Sequence, residues 1–299
     1  MAPEISLNRD FHCEYGKLEA VSPLVRRIVA ANSGPFTFTG TGTYIIGHGR
    51  IAIIDPGPMM ADHIDALIAL CRGEELTHIL VTHTHRDHSP ASVPLSAATG
   101  APVLGFGPHG AACEAVDGIE EGADRGFHPD RTLADGDRVA GDGWTLEAVH
   151  TPGHTSNHLC YGLAGEAALF TGDHVMGWST SVISPPDGDM ADYMASLEKL
   201  LGRDDKIYFP THGAPITDPK PHVRAFIAHR LAREAEILAC LEDGVTRIPE
   251  MVRRIYRELP EALHGAAAHS TLAHLIYLVK SGRARATGML TVDGEFMPN

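Results

Sequence analysis

The 299-residue chain has little of what would place it outside ordinary globular proteins. Its apolar runs are short. A stretch such as Ile51-Ala52-Ile53-Ile54 falls far below the ~20 residues a membrane span requires, so no membrane partner is expected. The five cysteines (Cys13, Cys71, Cys113, Cys160, Cys240) are odd in number, scattered, and form no Cys-x-x-Cys pair. That argues against a disulfide framework and for buried thiols in a reducing compartment. The opening MAPEISLNRDFHCEYG shows neither the basic stretch nor the apolar core of a secretory signal, so a cytoplasmic location is expected. Basic residues are scarce: 24 Lys and Arg against 38 Asp and Glu leave a formal net charge of −14. Such a surface repels nucleic-acid phosphate and anionic lipid unless a local basic patch overrides it. Internal repeats and low-complexity tracts are also lacking.

What is present is a packable core and an excess of histidine. Hydrophobic residues make up 43% and charged residues 21%, which excludes a disordered or fibrous chain. The 19 histidines stand out, because imidazole is the commonest metal-ligating side chain. From about residue 24 to 221 the pattern alternates strands and amphipathic helices. Val25–Ala30, Phe36–Ile46, Arg50–Ile54, Thr77–Thr82, Trp144–Val149, His158–Leu163, Ala167–Thr171 and Lys206–Phe209 read as strands. Met60, Ile64, Leu67, Ile68 and Cys71 recur at helical spacing, and so do Met190, Tyr193, Met194, Leu197, Leu200 and Leu201, with Asp189 placed to cap the second helix. This mixture suggests layered sheets with helices outside.

Pro219-Lys220-Pro221 marks an expected boundary between a domain at 1–221 and one at 222–299. The second contains three helical segments, about His222 to Asp243, Pro249 to Pro260 and His264 to Ser281. Predicted strands Ala284–Val292 and Glu295–Met297 then flank the hairpin signal Asp293-Gly294, and the whole resembles a winged-helix module. Its charge is nearly balanced, so the acidic excess belongs to the larger domain.

The chemistry-bearing pattern is His83-Thr84-His85-Arg86-Asp87-His88, directly after an apolar strand. His154, Asp173 and His212 each follow another predicted strand, which would bring them to the same end of a sheet. In order and spacing, His83, His85, Asp87, His88, His154, Asp173 and His212 resemble the seven metal ligands of the metallo-beta-lactamase superfamily, and the C-terminal module resembles its winged-helix-bearing branch. That branch includes a lactamase-beta-like mitochondrial endoribonuclease, fungal thioesterases and many bacterial hydrolases. Gly42 departs from the asparagine expected in that branch.

The resemblance implies an α/β, four-layer αββα metallo-beta-lactamase fold with a C-terminal winged-helix-like module. It also implies two divalent cations, Zn²⁺ first and Mn or Fe as alternatives. His83, His85 and His154 would hold one cation, Asp87, His88 and His212 the other, with Asp173 between them, so that a shared water is ionised and attacks the substrate. Asp87 and Asp173 are the candidate catalytic residues, Asp87 as one that orients the water or relays its proton. His174 and Trp178, on the loop after Asp173, are candidates for the substrate pocket, with a lid over the core as the alternative. His158 is expected to pack or to support a ligand. Arg253, Arg254 and Arg257 read as a solvated face, with phosphate contact the alternative.

The favoured reading is a hydrolase of small acyl substrates, thioesters first. True zinc beta-lactamases generally carry cysteine at the position of Asp173, which argues against antibiotic hydrolysis. One alternative is a metal-dependent endoribonuclease on single-stranded RNA. Another is a non-enzymatic winged-helix DNA-binding regulator, against which the complete ligand set argues. The sequence leaves room for a homo-oligomer.

Overall fold

The computed structural model describes residues 5–110 and 121–299, and Cys113 lies outside them. One sheet has the order β1 (Glu19–Ala20), β2 (Val25–Val29), β3 (Gly42–Ile46), β4 (Arg50–Ile54), β5 (Glu75–Leu80), β6 (Val103–Gly105) and β7 (Arg131–Thr132). Its pairs are antiparallel from β1 to β4 and parallel from β4 to β7. Parallel neighbours require crossovers, supplied between β4 and β5 by α1 (Ala61–Cys71) and between β5 and β6 by α2 (Ser92–Thr99). The second sheet comprises β8 (Arg138–Gly141), β9 (Trp144–His150), β10 (Leu159–Leu163), β11 (Ala168–Gly172) and β12 (Ile207–Pro210), in the order β12-β11-β10-β9-β8. Only β11 and β12 are parallel, joined through α3 (Met190–Leu201). The Asp189 carboxylate caps α3 by accepting from the amides of Ala191 and Asp192.

The two-residue alternation of strands sorts the side chains into layers. Tyr44, Ile46, Ile54 and Leu80 meet Leu146, Tyr161, Phe170 and Phe209 between the sheets. Ile45, Ile53 and Ile79, from the opposite face, pack with Leu67 of α1 and Leu95 of α2. On the far side, Cys160, Leu169 and Tyr208 pack with Tyr193 and Leu197 of α3 and with Val223 and Phe226 of α4 (Pro219–Glu242). The result is the four-layer αββα arrangement.

The C-terminal part of α4 joins α5 (Ile248–Ile255), α6 (His264–Lys280) and the antiparallel pair β13 (Ala284–Ala286) and β14 (Phe296–Pro298). Ile237, Leu241, Met251, Leu275 and Phe296 form the core of this winged-helix domain. Pro219 and Pro221 lie in the first turn of α4, where proline leaves no needed amide unpaired, so a division at 221/222 falls inside a continuous helix. That helix contributes to both cores.

The helix expected over Pro249–Pro260 ends at Ile255, and two predicted strands shorten. The strand predicted over Phe36–Ile46 begins only at Gly42. Before it, Gly34 and Phe38 exchange backbone bonds of 3.2 and 2.9 Å in a tight turn, with Phe38 at φ 55°. The strand predicted over Ala284–Val292 stops at Ala286, and the segment to Glu295 makes local bonds such as Gly294 N–H to Thr291 O at 2.9 Å. Helix α2 and strands β6, β7 and β8 went unforeseen: the strands are too short to show a period, and α2 carries Pro94 within its first turn.

Candidate metal centre

The run before His83 is held on three sides. Val81 N–H donates to Leu104 O at 2.9 Å, Leu159 N–H donates to Thr82 O at 2.7 Å, and the Tyr161 hydroxyl donates to Val81 O at 2.8 Å. His83, His85, Asp87 and His88 therefore leave a rigid base just beyond β5. In the second sheet β9, β11 and β12 run in one direction, so His154, Asp173 and His212 emerge at one edge. Gly153 enables this route: at φ 134° a side chain there would put its Cβ 2.3 Å from the Tyr193 Cα.

All seven residues are buried and converge. His83, His85 and His154 form one group, His83, His88 and Asp173 a second, and Asp87, His88 and His212 a third, with donor atoms in each within 4.8 Å of one another. His85 Nδ1 lies 3.0 Å from His83 Nε2 and 3.3 Å from His154 Nε2. His212 Nε2 is 3.2 Å from Asp87 Oδ2 and 3.4 Å from Asp173 Oδ1. His88 Nε2 is 3.3 Å from Asp87 Oδ2 and 3.5 Å from Asp173 Oδ2.

The donor set fits metal cations. His88 Nε2, His212 Nε2 and Asp173 Oδ1 are fully buried with no well-formed hydrogen bond, only the imidazole–carboxylate contacts just given, a costly condition that a cation among them would relieve. The second ring nitrogens are already engaged: His83 Nδ1 by the Thr82 hydroxyl at 3.1 Å, His88 Nδ1 by Asp55 at 2.9 Å, His154 Nδ1 by Val182 O at 2.7 Å and His212 Nδ1 by Gly40 O at 3.1 Å. Such contacts orient an imidazole and select the nitrogen left for a metal. Electrostatics divides the cluster. Burial, with neighbouring imidazoles adding, lowers His83 well below the usual histidine range and His85 to about 3. Burial also opposes charge on His88 and His212, yet the carboxylates of Asp87 and Asp173 prevail, raising His88 well above the usual range and His212 to about 10.

Sequence reading missed the aspartate that ties these segments together. Asp55, in Asp55-Pro56-Gly57, reads as a turn residue, yet its buried carboxylate binds His88 Nδ1 and accepts from Thr82 N–H at 2.7 Å, Thr82 Oγ1 at 2.8 Å and Thr211 Oγ1 at 3.0 Å. An acid immediately after an apolar strand was its only signal. Thr41 was also missed: its hydroxyl donates to Asp87 Oδ2 at 3.3 Å, while Asn32 holds Thr41 by two bonds of 2.9 Å. Gly42 lies beside them, where a Cβ would stand 3.0 Å from Thr211 O.

The two candidates for the substrate pocket separate. His174 is 0% exposed, packed between the rings of His158 and Tyr193, and burial lowers it to about 3. Trp178 is half-buried and stacks on Phe38, with ring centroids 4.8 Å apart and planes 9° apart, both beside Gly213. His158 Nδ1 meets the Thr151 hydroxyl at 2.9 Å and its ring stacks on His83, so it supports the cluster from behind. Of the C-terminal arginines, Arg254 pairs with Asp243, and Arg257 donates to Arg254 O at 3.1 Å.

Both parts of the fold occur in known proteins. The model of the metallo-beta-lactamase superfamily matches residues 37–212, and that of the beta-lactamase associated winged helix domain matches residues 248–290. An atrochrysone carboxyl ACP thioesterase of Paecilomyces divaricatus is 33% identical over 252 residues, 83% of this chain and 74% of that protein. A beta-lactamase-like protein 2 homolog of Caenorhabditis elegans is 32% identical over 278 residues, 89% of this chain and 87% of that protein. A beta-lactamase domain protein from Burkholderia ambifaria superposes with TM-score 0.78 at 20% identity, covering 97% of this chain and 96% of that one, and so shares the fold. With matching fold, winged-helix domain and buried histidine–aspartate clusters, the chain belongs to the metallo-beta-lactamase superfamily and is a hydrolase.

Proposed function

We propose that the cluster holds two divalent cations, Zn²⁺ in the first place with Mn or Fe as alternatives, and that the enzyme hydrolyses a small acyl thioester. His83 Nε2, His85 Nδ1 and His154 Nε2 would hold one cation, Asp87, His88 and His212 the other, and the Asp173 carboxylate would serve both. Bound there, such cations lower the pKa of water toward neutrality and polarise an acyl carbonyl. Asp87, steadied by the Thr41 hydroxyl, would orient the attacking water or relay its proton. No side-chain nucleophile is needed, and Cys160, the fully buried thiol nearest in sequence to His154 and Asp173, is pushed up to about 12 by burial and stays protonated.

The observation that carries this reading is the convergence of seven buried histidine and aspartate side chains, in three groups whose donor atoms lie within 4.8 Å of one another. The thioester is favoured because relatives at about one-third identity are named ACP thioesterases. The chain is not a true beta-lactamase: Asp173 stands where those enzymes generally carry cysteine. Trp178, stacked on Phe38 next to the residue that follows His212, would form the apolar wall for the acyl group. Among the described residues Cys13, Cys71, Cys160 and Cys240 are free thiols, in keeping with a reducing, cytoplasmic location. No helix among the described residues is long and apolar enough to cross a membrane.

The test is elemental analysis of the purified protein followed by parallel assays of acyl thioesters, lactones and single-stranded RNA. Thioester turnover by metal-loaded protein is expected. Full sites with cleavage of RNA alone would replace the reading with the endoribonuclease, and empty sites would end both.

A further inference from the structure

We propose that Arg230 is a positioning residue of the metal centre, acting through Ser181 and Val182 on Asp173 and His154. The inference rests on the metal-site reading above. Arg230 lies on α4 and is only 3% exposed. Its guanidinium stands over the Tyr193 ring, 5.1 Å from the centroid, and one Nη donates to Ser181 O. Glu234, one turn along α4, pairs instead with Arg283, and among the described residues Arg230 has no ion-pair partner. Its Nε is buried without any hydrogen bond.

A guanidinium buried without a carboxylate is expensive, and an unbranched apolar side chain of similar length would pack at lower cost. Stability therefore does not account for arginine here. Its directional contact with Ser181 does. The Ser181 hydroxyl donates toward Asp173 O at 2.6 Å and His174 O at 2.9 Å, so it fixes the backbone that presents the Asp173 carboxylate. The next carbonyl, Val182 O, accepts from His154 Nδ1 at 2.7 Å, which leaves Nε2 to face His85 Nδ1. The same segment is tied to α6: Ile183 N–H donates to Ser270 Oγ at 3.4 Å, and Ser184 Oγ lies 3.1 Å from His269 Nδ1. Residues 181–184 thus bridge α4 and α6 on one side and two candidate ligands on the other. The winged-helix domain is in this way part of the scaffold of the metal centre.

The test uses the full chain with Arg230→Met, Arg230→Lys, Ser181→Ala and the double variant Arg230→Met/Ser181→Ala. Zn²⁺ affinity is measured by chelator competition, the Co²⁺-loaded protein by its visible spectrum, and the metal-free protein by thermal melting. Arg230→Met and Ser181→Ala should each weaken Zn²⁺ binding about 10–100-fold and change the Co²⁺ spectrum, with metal-free melting close to that of the unaltered protein. Arg230→Lys should recover part of the loss. Because both residues act along one chain of contacts, the double variant should bind no worse than about the weaker single one. Unaltered affinity in Arg230→Met, multiplied losses in the double variant, or losses that merely follow the metal-free melting temperature would overturn the proposal. If Arg230→Met does not fold, unaltered Zn²⁺ affinity in both Arg230→Lys and Ser181→Ala does the same. Failure of the unaltered protein to bind Zn²⁺ would instead overturn the metal-site reading itself.

Discussion

The two halves of the candidate centre share histidine but differ in electrostatics. His83, His85 and His154 present imidazoles that burial keeps neutral, oriented by a hydroxyl at His83 and a carbonyl at His154. Asp87, His88 and His212 are interleaved with carboxylates, and a further one, Asp55, backs His88. A cation in the first half would be held by lone pairs in a fixed geometry. One in the second would be held by charge as well, at the price of bringing buried anions together. The first half should therefore be sensitive to orientation and the second to loss of a carboxylate.

Four measurements sharpen that contrast, from the largest expected effect to the smallest. Removing metal from both halves with a chelator should abolish thioester hydrolysis and Zn²⁺ should restore it, measured as turnover against metal content; full activity in metal-free protein would break the scheme. Asp87→Asn keeps the shape of the side chain but not its charge or basicity, so kcat should fall by about 10²–10⁴-fold with a smaller loss of metal. Equal losses of kcat and metal would reduce Asp87 to a ligand. Asp55→Asn should weaken one Zn²⁺ equivalent about 10–100-fold and spare the other, as titration against a chelator would show. Equal weakening of both would mean that the halves are not separable. Trp178→Ala should raise KM about 2–12-fold for aromatic acyl thioesters, the range set by an aromatic contact of ~0.5–1.5 kcal/mol, and leave acetyl thioesters nearly unchanged. A uniform change across substrates would make the Phe38–Trp178 stack a lid.

The histidine cluster was legible because His83, His85, Asp87 and His88 are neighbours in the chain. His154, Asp173 and His212 could be read because each follows an apolar strand, and strand ends in one direction gather at one edge. Asp55 was hidden by its surroundings, since an acid before proline and glycine has the form of an ordinary turn. Phe36–Thr41 reads as strand by composition, but the backbone exchange between Gly34 and Phe38 turns it into the loop that brings Gly40 and Thr41 to His212 and Asp87. His174 looked accessible because a loop residue after a ligand often is, and only packing against Tyr193 shows it buried.

Local composition alone therefore specified the layered class, the helix stripes and the donor types, because periodicity and side-chain chemistry are properties of short stretches. Tertiary structure decided which donor atom each imidazole offers, which carboxylates reinforce the centre, and how α4 and α6 reach it. Those outcomes depend on hydrogen bonds between residues far apart in the chain, such as Thr211 with Asp55 and Arg230 with Ser181, whose partners meet only after the sheets and helices have packed.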